Sequence, residues 1–162
     1  MQVVKWLLIG VCALPVAVLL AAQLGAFSGQ PPSNMGPRDG KLRPPSKTPN
    51  SVSSQADLWP QHPMRDDARI APLAVQGSGP ATLARLRKIA QALPGAKVVE
   101  ARDDYLYVQF TTRWMKFVDD AEFWFDAQGN AVQVRSASRV GRKDFGVNRA
   151  RIEAIRQALA AG

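Results

Sequence analysis

The spacing of apolar positions changes along the chain, and those changes divide it into regions. From Trp6 to Phe27 there is no charged residue, and Trp6-Leu7-Leu8-Ile9-Gly10-Val11-Cys12-Ala13-Leu14 runs on past Pro15 into Val16-Ala17-Val18-Leu19-Leu20. An apolar stretch of about 20 residues is long enough to cross a bilayer as a helix. Residues 28–56 lose all apolar periodicity and are dense in Pro, Gly, Ser, Asn and basic side chains. Such a composition builds no core of its own and predicts an extended segment.

Beyond that segment the periods become readable. Ile70-Ala71-Pro72-Leu73 predicts a short edge strand, where a proline is tolerated. Gly79-Pro80 opens a helix whose Leu83, Leu86, Ile89, Ala90 and Leu93 share one stripe, and Pro94-Gly95 ends it. Lys97 to Ala101 and Tyr105 to Thr112 predict a hairpin turning at Asp103-Asp104, and Ala121 to Asp126 with Ala131 to Ala137 predict another around Ala127-Gln128-Gly129-Asn130. Arg113 to Asp120 reads as a conspicuously apolar loop between the hairpins. A closing helix from Val147 to Ala160 buries Ile152, Ile155 and Leu159 and sets Arg149 and Glu153 at ion-pair spacing.

These elements predict an α+β fold: a single antiparallel sheet of about four to five strands with two helices packed on one face. Residues 1–27 form a transmembrane anchor or signal segment, residues 28–56 a Pro/Ser-rich segment and residues 57–162 the globular domain. The length of the apolar run favours an uncleaved anchor over a signal peptide, whose apolar core is shorter. Orientation is left in conflict, because Arg38, Lys41 and Arg43 after the segment outnumber Lys5 and the amino terminus before it.

Charge and rare residues narrow the chemistry. Lys and Arg number 21 against 13 Asp and Glu in 162 residues, a formal charge of +8. An excess of that sign suits an anionic partner such as an acidic lipid or a phosphorylated small molecule. The only cysteine, Cys12, lies in the apolar run, and the only histidine, His62, sits between prolines. No intramolecular disulfide can form, no metal ligand set is visible and no cofactor is expected. Neither a nucleophile–base pair nor a stacking motif for nucleic acid is visible, so no catalytic residue is named and enzyme function is a minor alternative.

Four stretches carry a family resemblance. They are Asn34-Met35-Gly36 with Asp39-Gly40-Lys41-Leu42; Pro49-Asn50-Ser51-Val52-Ser53-Ser54-Gln55; Phe117-Val118-Asp119-Asp120-Ala121-Glu122-Phe123; and Val134 through Arg149. Together they resemble the bacterial family known as domain of unknown function 1499. The resemblance implies a membrane-anchored or exported domain with no established activity. It also implies that residues 28–56 dock on the domain as part of the folded unit. It places the protein at the inner (cytoplasmic) membrane with its C-terminal domain in the periplasm. Members often carry a cysteine pair flanking the Pro-Asn motif, and the matching positions here are Pro45 and Ser51.

Two surfaces are candidates for function. The first is the basic segment leading into the last helix, where Arg135, Arg139, Arg142, Lys143 and Arg149 surround a helix N-terminus whose free N–H groups suit a phosphate or carboxylate. The competing reading pairs Arg139 and Arg142 with Asp119, Asp120 and Glu122 inside the fold. The second is the sheet face opposite the helices. If Leu106, Val108, Phe110, Phe123 and Phe125 face the helices, Tyr105, Tyr107 and Trp124 are left on an open face suited to a ligand or an envelope protein partner. The loop at Trp114, Met115 and Phe117 is a third element that can enter a membrane interface. The function these readings predict is a membrane-tethered, envelope-facing binding or accessory domain; the alternative is a structural or assembly partner of an envelope complex.

Overall fold

The computed structural model describes residues 2–162. Six strands form one antiparallel sheet: β1 Ser51–Ser53, β2 Leu73–Ala74, β3 Ala96–Ala101, β4 Tyr105–Thr111, β5 Val118–Asp126 and β6 Ala131–Ser138. The order across the sheet is β1-β6-β5-β4-β3, with β2 paired to the same flank of β6 as β1. The helices are α1 Gln2–Gln23, α2 Arg65–Ala68, α3 Gly79–Gln91 and α4 Val147–Ala161. The predicted α+β class, the open antiparallel sheet and the leading apolar helix are all present.

The register explains which side chains go inward. Phe123 of β5 stands opposite Leu106 of β4 and Val134 of β6, so alternate residues of three central strands share one face. There they meet Leu83, Leu86 and Ala90 of α3 and Ile152, Ile155 and Leu159 of α4 in one buried cluster. Each fully buried Leu, Ile or Phe contributes about 1.5–3 kcal/mol, and this layer holds the two helices to the sheet. At the start of α3 the Ser78 hydroxyl accepts the Ala81 N–H at 3.3 Å, a helix cap. The chain leaves the helix through Gly95 at φ +73°, where a Cβ would lie 2.1 Å from the Thr111 carbonyl oxygen.

Four sequence expectations are corrected. Ser51–Ser53 belongs to the sheet rather than to an extended segment, pairing with Arg135 to Ala137 of β6. The short strand starts at Leu73 rather than Ile70, three residues later than expected, because the preceding chain is used beside β1: Arg69 bridges Ser53, and the Ile70 N–H donates to the Ser53 carbonyl. β5 begins at Val118, three residues earlier than its apolar alternation suggests. Asp119 and Asp120 can enter the strand buried because each is paired with an arginine. Arg149 does not pair with Glu153, whose carboxylate instead accepts from Arg156 at 2.9 Å.

The face away from the helices is not open. Residues 34–46 cross it, burying Leu42 against Tyr105 and Tyr107, with Met35 and Trp124 at the margin. The Gln55 side chain pins this crossing at both ends of its amide, accepting the Leu42 N–H at 2.7 Å and donating to the Gly40 carbonyl at 2.9 Å. Prolines in the crossing segment lower the entropy lost when it is ordered.

Helix α1 has the opposite character. Trp6, Leu7, Val11, Leu14 and Leu20 are each at least 60% exposed. Its 22 residues span about 33 Å at 1.5 Å per residue, enough for the hydrocarbon of a bilayer. Such a helix at the N-terminus is long and apolar enough to serve as a membrane anchor or a signal sequence.

Candidate functional site

Between the crossing segment and the sheet lies a buried polar layer. Glu122 and Arg135 are direct cross-strand neighbours on β5 and β6, and both are buried. Glu122 Oε1 accepts the Gly36 N–H at 2.7 Å and the Tyr105 hydroxyl at 2.9 Å. Arg135 Nε donates to the Pro44 carbonyl at 3.0 Å. Glu122 Oε2 and Arg135 Nη1 are buried without a hydrogen-bond partner among the described residues. Burial, reinforced by the nearby Arg43 charge, pulls the Arg135 guanidinium down to about 10, so it stays protonated at neutral pH.

One turn of register away, Asp120 holds Arg139 in a two-pronged ion pair, with Nε and Nη2 each 2.8 Å from a carboxylate oxygen. The Tyr107 hydroxyl donates to the same carboxylate and accepts from Gln109 at 2.9 Å. Burial raises the pKa of both phenols, and the Glu122 charge adds to it at Tyr105. They are held as hydrogen-bond donors. The aromatic face expected to meet a ligand or partner is therefore interior: Tyr105 and Tyr107 are buried and only Trp124 stays half-buried. The sequence reading placed these residues on the right face of the sheet but not under a cover.

The basic segment before α4 is divided by the fold. Arg135 and Arg139 turn into the polar layer. Arg149 reaches back across α2, donating to the carbonyls of Arg69 at 2.9 Å and Asp67 at 2.7 Å. Arg151 pairs with Asp119 at 2.7 Å and lies 4.4 Å over the Phe110 ring. Arg142 and Lys143 remain exposed and make no ion pair among the described residues. The helix N-terminus itself is occupied from within the chain. Asp144 accepts the Gly146 N–H and the Asn148 N–H, each at 3.0 Å, along with the Asn148 side-chain amide at 2.9 Å. Partial burial opposes ionisation of Asp144, but these hydrogen bonds outweigh it and hold the carboxyl below its ordinary range. The five basic residues expected to gather around one anion thus go to three different places.

A different basic cleft forms at the tip of the crossing segment. Arg38 and Lys41 exchange backbone hydrogen bonds of 2.8 and 3.0 Å around Asp39-Gly40, both at positive φ. That is the mirror-image two-residue hairpin turn, for which Asp-Gly is a preferred pair. The hairpin overhangs Trp59, with Lys41 Nζ 5.7 Å from the ring centre. The cleft encloses about 360 Å³ and is lined by Asn34, Arg38, Asp39, Lys41, Arg43 and Trp59, among others. Arg43 Nη1 donates to Asn34 Oδ1 at 3.1 Å. Sequence reasoning passed over this group because Trp59 is remote from the hairpin in the chain; the Asp39-Gly40 turn signal between two cations was the available clue. His62 lies nearby, its Nδ1 accepting the Met64 N–H at 3.2 Å. Among the described residues no cluster of His, Cys, Asp or Glu is arranged to hold a metal ion.

The class this defines is a small α+β domain, its antiparallel sheet covered on both faces, behind an apolar N-terminal helix long enough to span a bilayer. The chain belongs to the family described as Protein of unknown function (DUF1499), which matches residues 41–159. That match begins inside the Asp39-Gly40 hairpin and runs to the end of α4. Comparison with curated proteins and with solved structures gives no match.

Proposed function

We propose that the protein is a membrane-tethered binding domain on the periplasmic side of the inner membrane, holding an anionic ligand in the cleft beneath the Asp39-Gly40 hairpin. One observation carries this reading: Arg38, Lys41 and Arg43 converge with the Asn34 amide and Trp59 around one concavity, with Asp39 the one carboxylate lining it among the described residues. None of the three cations makes an ion pair among the described residues, whereas the arginines of the polar layer and of α4 are engaged. Arginine and lysine beside a neutral amide suit a phosphate group, whether it belongs to a phosphorylated small molecule or to a lipid headgroup.

The assigned side rests on the family resemblance, which implies an exported domain. The flanking charges do not supply it, since Arg38, Lys41 and Arg43 fall within about 20 residues of the span and outnumber Lys5 and the amino terminus before it. The test is calorimetric titration of the detergent-extracted full chain with inorganic phosphate and with glycerol 3-phosphate. Binding is expected for both, and Arg38→Ala/Lys41→Ala should weaken it by about tenfold or more, the cost of losing charge-assisted bonds. Undiminished binding in that variant sinks the cleft. Loss in Arg142→Ala/Lys143→Ala instead returns the ligand to the loop before α4.

A second reading, an assembly partner of an envelope complex, draws support from Phe145. Its ring is 93% exposed beside half-exposed Val147, and it replaces the buried tyrosine face as the surface a protein partner would meet.

A further inference from the structure

The loop between β4 and β5 lies against the end of α1, and the two enclose a notch of about 400 Å³ lined by Val16, Leu19, Leu20, Gln23, Arg113, Trp114 and Lys116. Two contacts set the relative depth. Gln23 Nε2 donates to the Trp114 carbonyl at 2.8 Å, and the Phe27 and Phe117 rings meet with centroids 5.7 Å apart. Gln23 is the last residue of α1. If α1 spans the bilayer, the loop is therefore held at the level of the headgroups, and the apolar wall of the notch runs one to two turns down into the hydrocarbon.

The chemistry of the two walls is complementary to one kind of molecule. Leu19 and Leu20 are 40% and 60% exposed, as expected of side chains facing lipid. Across from them Trp114 is 63% exposed, and the Arg113 guanidinium lies 4.9 Å over its ring. Tryptophan favours the boundary between hydrocarbon and headgroups, and long basic side chains extend from that depth to the phosphates. Neither Arg113 nor Lys116 makes an ion pair among the described residues, although acidic partners are found for six other arginines.

We propose that this notch is a phospholipid site. One acyl chain lies along Val16, Leu19 and Leu20, the phosphate sits between Arg113 and Lys116, and Trp114 packs at the glycerol level. A bound lipid then wedges anchor and loop together, fixing the β4–β5 end of the sheet against the bilayer. This site is separate from the hairpin cleft, but it rests on α1 being retained as a span.

Native mass spectrometry of the full chain, extracted in detergent and titrated with phosphatidylglycerol, tests it. The intact mass should include α1, and a bound phosphatidylglycerol should be retained. Arg113→Gln/Lys116→Gln should weaken retention by about 30-fold, the effect of removing two interfacial cations, with thermal unfolding unchanged because both side chains lie in a surface loop. Trp114→Ala, a second variant, should weaken it without altering charge. A chain lacking α1 overturns both this site and the tether. An intact chain whose lipid retention is the same in all variants overturns the lipid site alone, and phosphate binding at Arg38 and Lys41 is then unaffected.

Discussion

Asp144 and Asp120 show how much a single carboxylate decides in this molecule. Asp144 closes the N-terminus of α4 with three accepted hydrogen bonds, so Asp144→Ala should cost about 1 kcal/mol, the usual value of a lost helix cap. The pH dependence follows from the lowered pKa of this group. Its contribution is fully present above the unfolded value of 3.8 and is lost as pH falls through the lower folded value. Urea midpoints measured from neutral pH downward should therefore converge for wild type and variant in acid. Asp120 is a larger case, because it and Arg139 are 2% and 6% exposed in their side chains. Removing either partner strands the other charge, and Arg139→Ala should cost about 3–5 kcal/mol in denaturant unfolding. A cost below about 1 kcal/mol, the level of a surface pair, would show that the pair is not buried in solution.

At the level of elements, the crossing of residues 34–46 over the sheet is the feature with most consequence. It hides the chain's two tyrosines, and burial raises both phenols above the ordinary value of 10. Spectrophotometric titration of the native protein should show no tyrosinate near pH 10. The sign of the linkage is the reverse of that for Asp144: the stability held by the neutral phenols is present below pH 10 and declines as pH rises beyond it. Gln55→Ala removes both pins of the crossing and leaves the Leu42 N–H and Gly40 carbonyl without their partner. It should cost about 1–3 kcal/mol, and the tyrosines should then titrate closer to their ordinary value. The Pro45 and Ser51 positions, where the family resemblance implies a cysteine pair in other members, are both buried here, and the Ser51 hydroxyl accepts the Ser46 N–H at 2.9 Å. A hydrogen bond thus joins the two ends of that short loop.

At the scale of the whole molecule, legibility followed the range of the interactions involved. Helices α3 and α4 and the hairpin of β3 and β4 could be read from period, caps and turn residues because each is set by neighbours within a few positions. The early start of β5 was not legible, since Asp119 is acceptable in a buried strand only when Arg151 arrives from α4. For the same reason the basic segment looked like one anion site. Its arginines are adjacent in sequence, but their partners are Asp120, the carbonyls of Asp67 and Arg69, and the Pro44 carbonyl.

The apolar N-terminal run, the alternation of β4 and β5 and the stripes of α3 and α4 were thus determined by the sequence alone, because periodicity records which side of an element avoids water. Tertiary structure decided what lies against each side. A strand pattern states that Tyr105 and Tyr107 share a face, but only the closed chain shows that Leu42 covers it. Likewise, +8 of formal charge says nothing of which cations remain free. Ion pairing depends on distances between residues far apart in the chain, and among the described residues folding left Arg38, Lys41, Arg113 and Lys116 without carboxylate partners while turning Arg135 and Arg139 into the polar layer.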